Sequence, residues 1–406
     1  MNIVKSKPFV VRLEADKAIQ NLFAFLFAKD LIQIMLNMVI PLGITRTLIY
    51  SIELILILIA WRRIQFTITK TNLLFFFFWT IYLFFSALLL KSERGMYIIL
   101  ILNNVIPCLP LYFIGKLVPK QDARIITSMR LVPAATAFSY VMYYMMSQGY
   151  GNIAYSQWLG YALLPSCCIA FGLFINSDFF QAPFMVIFLW GVLASGARGP
   201  LVCVIFAVVL FILGKADLRS FKWWGLILIC TSLGVGVYSY YKELLYFLIQ
   251  MFNEMNISTR TLNALLTNSF IESSGRNALI GGVWKGIRSN PFGLGIFRDR
   301  QFLRPYLRDV MTSEGTYAHN FFLECFLQYG VIFGSIIIIV FIWLMVRCFI
   351  NVKNNKEQFL CFVVLVASGF FPLLVSGSYL QWENFYMLMG YFVASRLAKS
   401  EAGKKQ

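Results

Sequence analysis

The chain has one histidine in 406 residues, His319, in the run Tyr317-Ala-His-Asn320. No other side chain ordinarily titrates near pH 7, so acid–base chemistry at neutral pH points to this position first. Two arginines stand among small residues: Arg198 in Ser195-Gly-Ala-Arg-Gly199, and Arg276 directly after Ser273-Ser-Gly275. A guanidinium stays charged at any working pH, and its planar fork matches a phosphate group. Glycine neighbours let a bulky anion approach the backbone. Arg288, Arg298, Arg300, Arg304 and Arg308 form a looser basic set. Glu324 falls four residues after Asn320, on the same helical face, where it could orient His319 or neutralise an arginine. His319 and Glu324 are thus candidate catalytic residues; Arg198, Arg276, Arg288 and Asn320 are candidate substrate-binding residues. Each has a plainer reading as well. The histidine could merely cap a helix, the arginines could anchor lipid headgroups, and Glu324 could be a buried acid satisfied by a neighbouring helix. Glu53 and Glu383 also sit at or within apolar segments, and all three acids, Glu324 included, rank below the arginines. No DxD pair, P-loop or nucleophile elbow is present, and no metal or cofactor is expected.

The elements that must carry these residues are apolar. Hydrophobic residues make up 59% of the chain and charged ones 13%, with mean hydropathy +0.73. A typical globular domain is about 45–50% apolar and about 25% charged. The excess runs in long blocks such as Leu73–Leu90, Leu226–Val237 and Val331–Val346. About 20 apolar residues in a helix cross a hydrocarbon core about 30 Å thick. The pattern predicts an all-α, polytopic membrane protein with about 12 transmembrane helices. The spans fall at 21–43, 47–61, 72–90, 95–115, 125–146, 159–176, 180–195, 199–214, 223–238, 320–346, 358–375 and 383–396. Lys29-Asp30 interrupts the first, so residues 18–28 could instead lie along the interface. The N-terminal region, with Lys5, Lys7, Arg12 and Lys17 and no small-residue cleavage site, reads as an uncleaved anchor. Eight cysteines all lie in or beside apolar segments, which indicates neither a disulfide scaffold nor a CxxC metal site.

A net charge of +17 would suggest nucleic acid in a soluble protein. In a membrane protein it reflects basic residues gathered in cytoplasmic loops. With the N-terminus inside, the cytoplasmic segments hold 21 basic residues, whereas the short external loops hold four: Arg46, Lys91, Arg94 and Arg198. Both termini are therefore expected in the cytoplasm. The three parts are 1–238 with helices one to nine, an external loop at 239–318, and 319–406 with the last three helices and a tail. The loop carries nine basic and six acidic residues, so a folded polar element is expected rather than a tether. Leu244, Leu245, Leu248 and Met251 within Tyr238–Met255 predict a helix lying on the membrane surface. A second helix is predicted from Arg276 to Arg288, stopped by Asn290-Pro291 and then Gly293-Leu-Gly295.

The motifs, taken together and in order, resemble one family. They are Ser195-Gly-Ala-Arg198-Gly199-Pro-Leu, Ser274-Gly-Arg276 with Trp284, Asn290-Pro-Phe-Gly293-Leu-Gly295, and Ala318-His319-Asn320-Phe-Phe-Leu-Glu324 with Gly330 and Gly334. This set resembles the O-antigen polymerase/ligase superfamily over roughly residues 185–345, and Ala197 departs from the serine or threonine that many members carry. The resemblance implies a GT-C-like architecture with the active site at the periplasmic face of the bacterial inner membrane. It also implies an inverting, metal-independent glycosyltransferase acting on an undecaprenyl-diphosphate-linked oligosaccharide donor and acceptor. Arg198 and Arg276 would hold the donor diphosphate, and His319 would act as, or orient, the base. Membrane lipids and a possible chain-length regulator would be partners; nucleic acid would not. A polymerase is favoured over a ligase that moves finished polymer onto lipid A–core. A transporter is disfavoured, because the chain shows no internal repeat and almost no charge is expected at span centres.

Overall fold

The computed structural model describes residues 7–90, 94–120, 128–148, 156–176, 178–215, 241–255, 257–267, 276–306 and 317–402. The described residues are helical, with no strand among them. In chain order the helices are α1 (Lys7–Leu36), α2 (Leu42–Ile64), α3 (Lys70–Leu88), α4 (Arg94–Leu100), α5 (Ile106–Gly115), α6 (Leu131–Gln148), α7 (Gln157–Ile175), α8 (Ala182–Ala194) and α9 (Arg198–Lys215). Then come α10 (Tyr241–Glu254), α11 (Arg260–Leu266), α12 (Arg276–Ser289), α13 (Arg298–Leu303), α14 (Phe321–Val352), α15 (Lys356–Gly369), α16 (Phe371–Val375) and α17 (Glu383–Ala402).

Among the described residues, six helical segments are long and apolar enough to cross a membrane: Lys17–Leu36, Leu42–Trp61, Lys70–Leu88, Gln157–Ile175, Phe321–Val352 and Lys356–Val375. Ile106–Gly115, Phe179–Ala194 and Arg198–Gly214 are apolar but shorter. The chain is therefore a multi-pass membrane protein. The expected span at 223–238 lies outside the described residues. The segment expected as one span at 95–115 is α4 and α5 joined by a π-helical turn at Ile101–Val105, just before Pro107 and Pro110. Proline has no amide hydrogen and clashes with the preceding turn, which accounts for the irregularity there. Helix α1 runs unbroken through Lys29-Asp30, earlier in the chain than the expected 21–43.

Burial sorts the helices by role. Helix α7 and the α15–α16 pair are mostly buried, while α2, α3 and α14 are mostly exposed. The outward side chains, such as Phe75, Phe77 and Phe78 on α3 and Ile332 and Phe333 on α14, are large and apolar. In water such a surface would aggregate, whereas hydrocarbon accepts it. The expectation of nearly charge-free span centres needs correction. Lys29 on α1 donates to Glu53 on α2 at 2.9 Å and also bonds Glu383 at the start of α17. Lys29 and Glu53 are buried. The interruption at Lys29 is thus compensated: a buried cation meets carboxylates from two other helices, which is the arrangement that low dielectric demands.

The loop contains the helices its sequence predicts. The one expected at 238–255 is α10, Tyr241–Glu254, with Leu245 and Phe252 buried and Leu244, Tyr246 and Phe247 exposed. Phe252 meets Trp190 of α8 edge-on at 4.7 Å. The one expected at Arg276–Arg288 is α12, whose Leu279, Val283 and Ile287 pack with Leu303, Ala318 and Leu327.

Candidate active site

The site begins at the head of α14. The Asn320 side-chain oxygen accepts from the backbone amides of Phe322 at 3.0 Å and Leu323 at 3.2 Å, so Asn320 is the N-cap, a role worth typically about 1 kcal/mol. Its Nδ2 donates to the Leu374 carbonyl at 3.1 Å and ties the helix start to α16. His319 precedes the cap with φ of 50°, a left-handed conformation uncommon for residues other than glycine, though histidine, like asparagine and aspartate, enters it more readily than most. That turn carries the ring to the segment after α16. His319 Nδ1 lies 3.1 Å from the Ser376 carbonyl oxygen, and Tyr317 Oη donates to the same oxygen at 2.6 Å. The Tyr317 and His319 rings are 4.2 Å apart. A carbonyl can only accept, so Nδ1 carries a proton. In the neutral ring Nε2 then holds the lone pair, the form a general base needs.

One turn further along, Glu324 is fully buried. Ser378 Oγ donates to its Oε1 at 2.6 Å, and Gln328 Nε2 lies 3.4 Å from the same atom. Gln328 Nε2 also donates to Asp299 Oδ2 at 2.8 Å, while its Oε1 accepts from Tyr379 Oη at 2.5 Å. Arg300 is buried, with Nη2 donating to Ser378 Oγ at 3.3 Å and its guanidinium 5.4 Å from the Tyr317 ring centre. Burial pushes the Asp299 carboxyl above its ordinary range, and the Arg300 charge and the Gln328 hydrogen bond pull it back. Glu324 is linked to Arg300 through Ser378, whose hydroxyl bonds both, while the His319 Nδ1 is bonded to the Ser376 carbonyl.

A break in α14 positions this network. Gly330 has φ 79° and ψ 175°, which interrupts the helix one turn and a half below Glu324. The freed backbone groups are taken up by the loop. Leu294 N donates to Leu327 O at 2.8 Å, Gly295 N to Gln328 O at 2.9 Å, and Val331 N to Pro291 O at 2.9 Å. A methyl group on Gly293 would come within 2.5 Å of Gln328 O, and one on Gly330 would collide with Phe292 and Pro291 backbone. The two glycines therefore admit each other's backbone, and the docked segment 291–295 delivers Asp299 and Arg300 to the α14 head.

Arg198 is the first residue of α9, after a turn with Gly196 at φ 67°. Ser195 O in that turn accepts from Ser156 N at 2.9 Å, and the next residue, Gln157, bonds Ser376 through its amide. A methyl group on Gly199 would lie 3.3 Å from Val375 Cγ1. The Arg198 turn and His319 thus rest on the same short segment, 375–376, at one end of the helix bundle. Arg276 opens α12, but its side chain lies outside the described residues. Arg288 is exposed in the last turn of α12 and takes no part in the buried network. Among the described residues, no group of three or more His, Cys, Asp or Glu could hold a metal ion.

The sequence does not single out Ser376, Ser378 and Tyr379, the centre of this network, and it leaves Arg300 within the looser basic set. The signal was a short uncharged connection, Ser376-Gly-Ser-Tyr-Leu-Gln-Trp382, rich in hydroxyl groups between two apolar spans.

Residues 183–338 match the family model described as O-antigen ligase. The match includes Arg198, Arg276, Arg288, Arg300, His319, Asn320 and Glu324, along with Gly293 and Gly330; the 376–382 connection lies beyond it. No curated protein and no solved structure matches the chain. Residues 183–338, which hold the glycine-broken helix and the single histidine, are thus similar to the O-antigen ligase family, and that similarity supports the O-antigen polymerase/ligase superfamily.

Proposed function

We propose that the protein is an inverting glycosyltransferase that polymerises undecaprenyl-diphosphate-linked repeat units at the periplasmic face of the bacterial inner membrane. The observation that carries this reading is the histidine geometry: Nδ1 is bonded to the Ser376 carbonyl, and the Arg198 turn rests against the same segment. In the step, an acceptor hydroxyl attacks the anomeric carbon of the donor from the face opposite the diphosphate. Its proton passes to His319 Nε2 as the new C–O bond forms. The bond from the anomeric carbon to the diphosphate oxygen breaks, and the electron pair leaves with the diphosphate. Arg198, with Arg276, stabilises that growing charge by preplaced guanidinium groups. Apolar helices accommodate the polyprenyl tail. Glu324 neutralises Arg300 in the wall of the site.

The test is transfer by purified protein between defined lipid-diphosphate oligosaccharides, with products read by mass. Wild-type protein should extend the lipid-linked chain. His319→Ala should keep donor binding and lose most product, since a positioned base contributes about 10²–10⁴-fold. Near wild-type turnover by that variant would exclude His319 as base and leave Glu324 or substrate-assisted transfer. The family description favours a second reading, a ligase. A deletion strain separates them: without a polymerase it makes single-repeat lipopolysaccharide, and without a ligase it accumulates lipid-linked polymer over a bare core. Buried Lys29 and Glu53 remove one argument against a transporter; direct glycan transfer decides that alternative.

A further inference from the structure

We propose that Arg300 is a positioning residue for His319: its buried guanidinium clamps the two chain segments that hold the imidazole and so fixes which ring nitrogen carries the proton. Those segments are 317–320 at the head of α14 and 375–379 after α16. They meet where His319 Nδ1 and Tyr317 Oη share the Ser376 carbonyl. Arg300 closes over that junction from both sides. Its guanidinium lies against the ring of Tyr317, two residues before His319, and its Nη2 reaches Ser378, two residues after Ser376. Ser378 passes the contact on, donating to Glu324 at 2.6 Å on the first turn of α14. One arginine from the docked loop therefore touches a near neighbour of each partner of the histidine bond.

The surroundings argue for internal order rather than substrate binding. Arg300 is 1% exposed, and the carboxylates of Asp299 and Glu324, both at 0%, act on it electrostatically. A diphosphate brought here would face the buried acidic side chains of Asp299 and Glu324. Buried charges hold their place only when compensated, and this group is compensated from within. Arg198, half-buried at a helix start, is placed differently. Residues on either side of a hydrogen bond set its angle, and loosening them lets the ring rotate or exchange its proton between nitrogens. The clamp's catalytic consequence rests on His319 being the base; the clamp itself does not.

The single histidine makes the proposal measurable. Histidine labelled with 15N, in protein carrying an affinity tag free of histidine and held in lipid nanodiscs, gives one imidazole. Wild-type protein should show a neutral ring protonated at Nδ1 alone. Arg300→Met keeps the long apolar stem and loses the fork, so the ring should become a mixture of tautomers, with Arg300→Lys between. Ser378→Ala removes one arm of the clamp with every charge in place and should move the signal the same way; it decides the matter if Arg300→Met does not fold. In the transfer assay Arg300→Met should lower kcat by about 10²-fold, shift the acid limb of the pH profile and leave the donor KM unchanged. A wild-type ring protonated at Nε2 would overturn the proposal. So would variants that keep the wild-type spectrum, or a raised donor KM at unchanged kcat, which would assign Arg300 to the diphosphate. If wild-type protein transfers no glycan, the proposed function fails and the spectra still decide the clamp.

Discussion

Arg198 offers the sharpest distinction between charge and shape. Arg198→Ala should abolish most transfer while leaving the protein inserted, because the residue starts α9 at a half-buried position and carries no part of the core. Arg198→Lys keeps the charge but loses the two-pronged donor, so only partial activity should return in the lipid-donor assay. Full activity of the lysine variant would reduce the residue to general electrostatics. Residue type and spacing were enough to single out Arg198, His319 and Glu324 in the sequence, because a lone histidine and arginines among glycines are unusual in an apolar chain. The residues that orient them were not legible. Ser376 acts through its backbone carbonyl, which any residue could supply, and Arg300 differs from its neighbours Arg298 and Arg304 only in being buried.

At the scale of elements, the paired glycines at 293 and 330 matter more than their size suggests. Gly330→Ala would force a side chain into φ 79° and ψ 175° and against the Pro291 and Phe292 backbone. Such conformations cost about 1–3 kcal/mol before any collision. The variant should therefore melt lower in detergent and lose activity. Gly281→Ala is the control: a methyl group there meets nothing within 4 Å, and alanine favours a helix over glycine, so stability should hold or rise slightly. The helices of the loop were legible because their apolar spacing and the Asn290-Pro291 stop are local signals. The break inside α14 was not, since Gly330 sits in a strongly apolar run and its partner lies 37 positions earlier in the chain.

For the whole molecule, two expectations follow. Lys29→Met would leave the carboxylates of Glu53 and Glu383 without the cation between them, and breaking a buried pair this way costs about 3–5 kcal/mol. Replacing all three, as Lys29→Met with Glu53→Gln and Glu383→Gln, should recover most of the loss in a melting assay in lipid. No recovery would show that the three groups act separately. For topology, a cysteine at Gly281 should react with an impermeant thiol reagent in spheroplasts and one at Asn354 should not, given 21 basic residues against four on the two sides. The described native cysteines are buried, so background labelling should be low. Labelling at Asn354 instead would put His319 in the cytoplasm. Hydropathy made the succession of apolar helices readable, yet it could not show that Lys29, Glu53 and Glu383 meet, because they come from distant parts of the chain.

The segment 291–295 also limits how a substrate gets in. At about 1.5 Å per residue, Val331–Val352 is about 33 Å long and crosses a bilayer unaided, so the α14 head above Gly330 stands at the membrane edge. Swinging the segment outward as a flap would strip three backbone hydrogen bonds from that broken helix, with each orphaned group costing about 1–3 kcal/mol. This side of the site therefore behaves as a fixed wall. On the proposed function, a donor whose tail stays in the bilayer would enter past another side of the site, laterally along the leaflet.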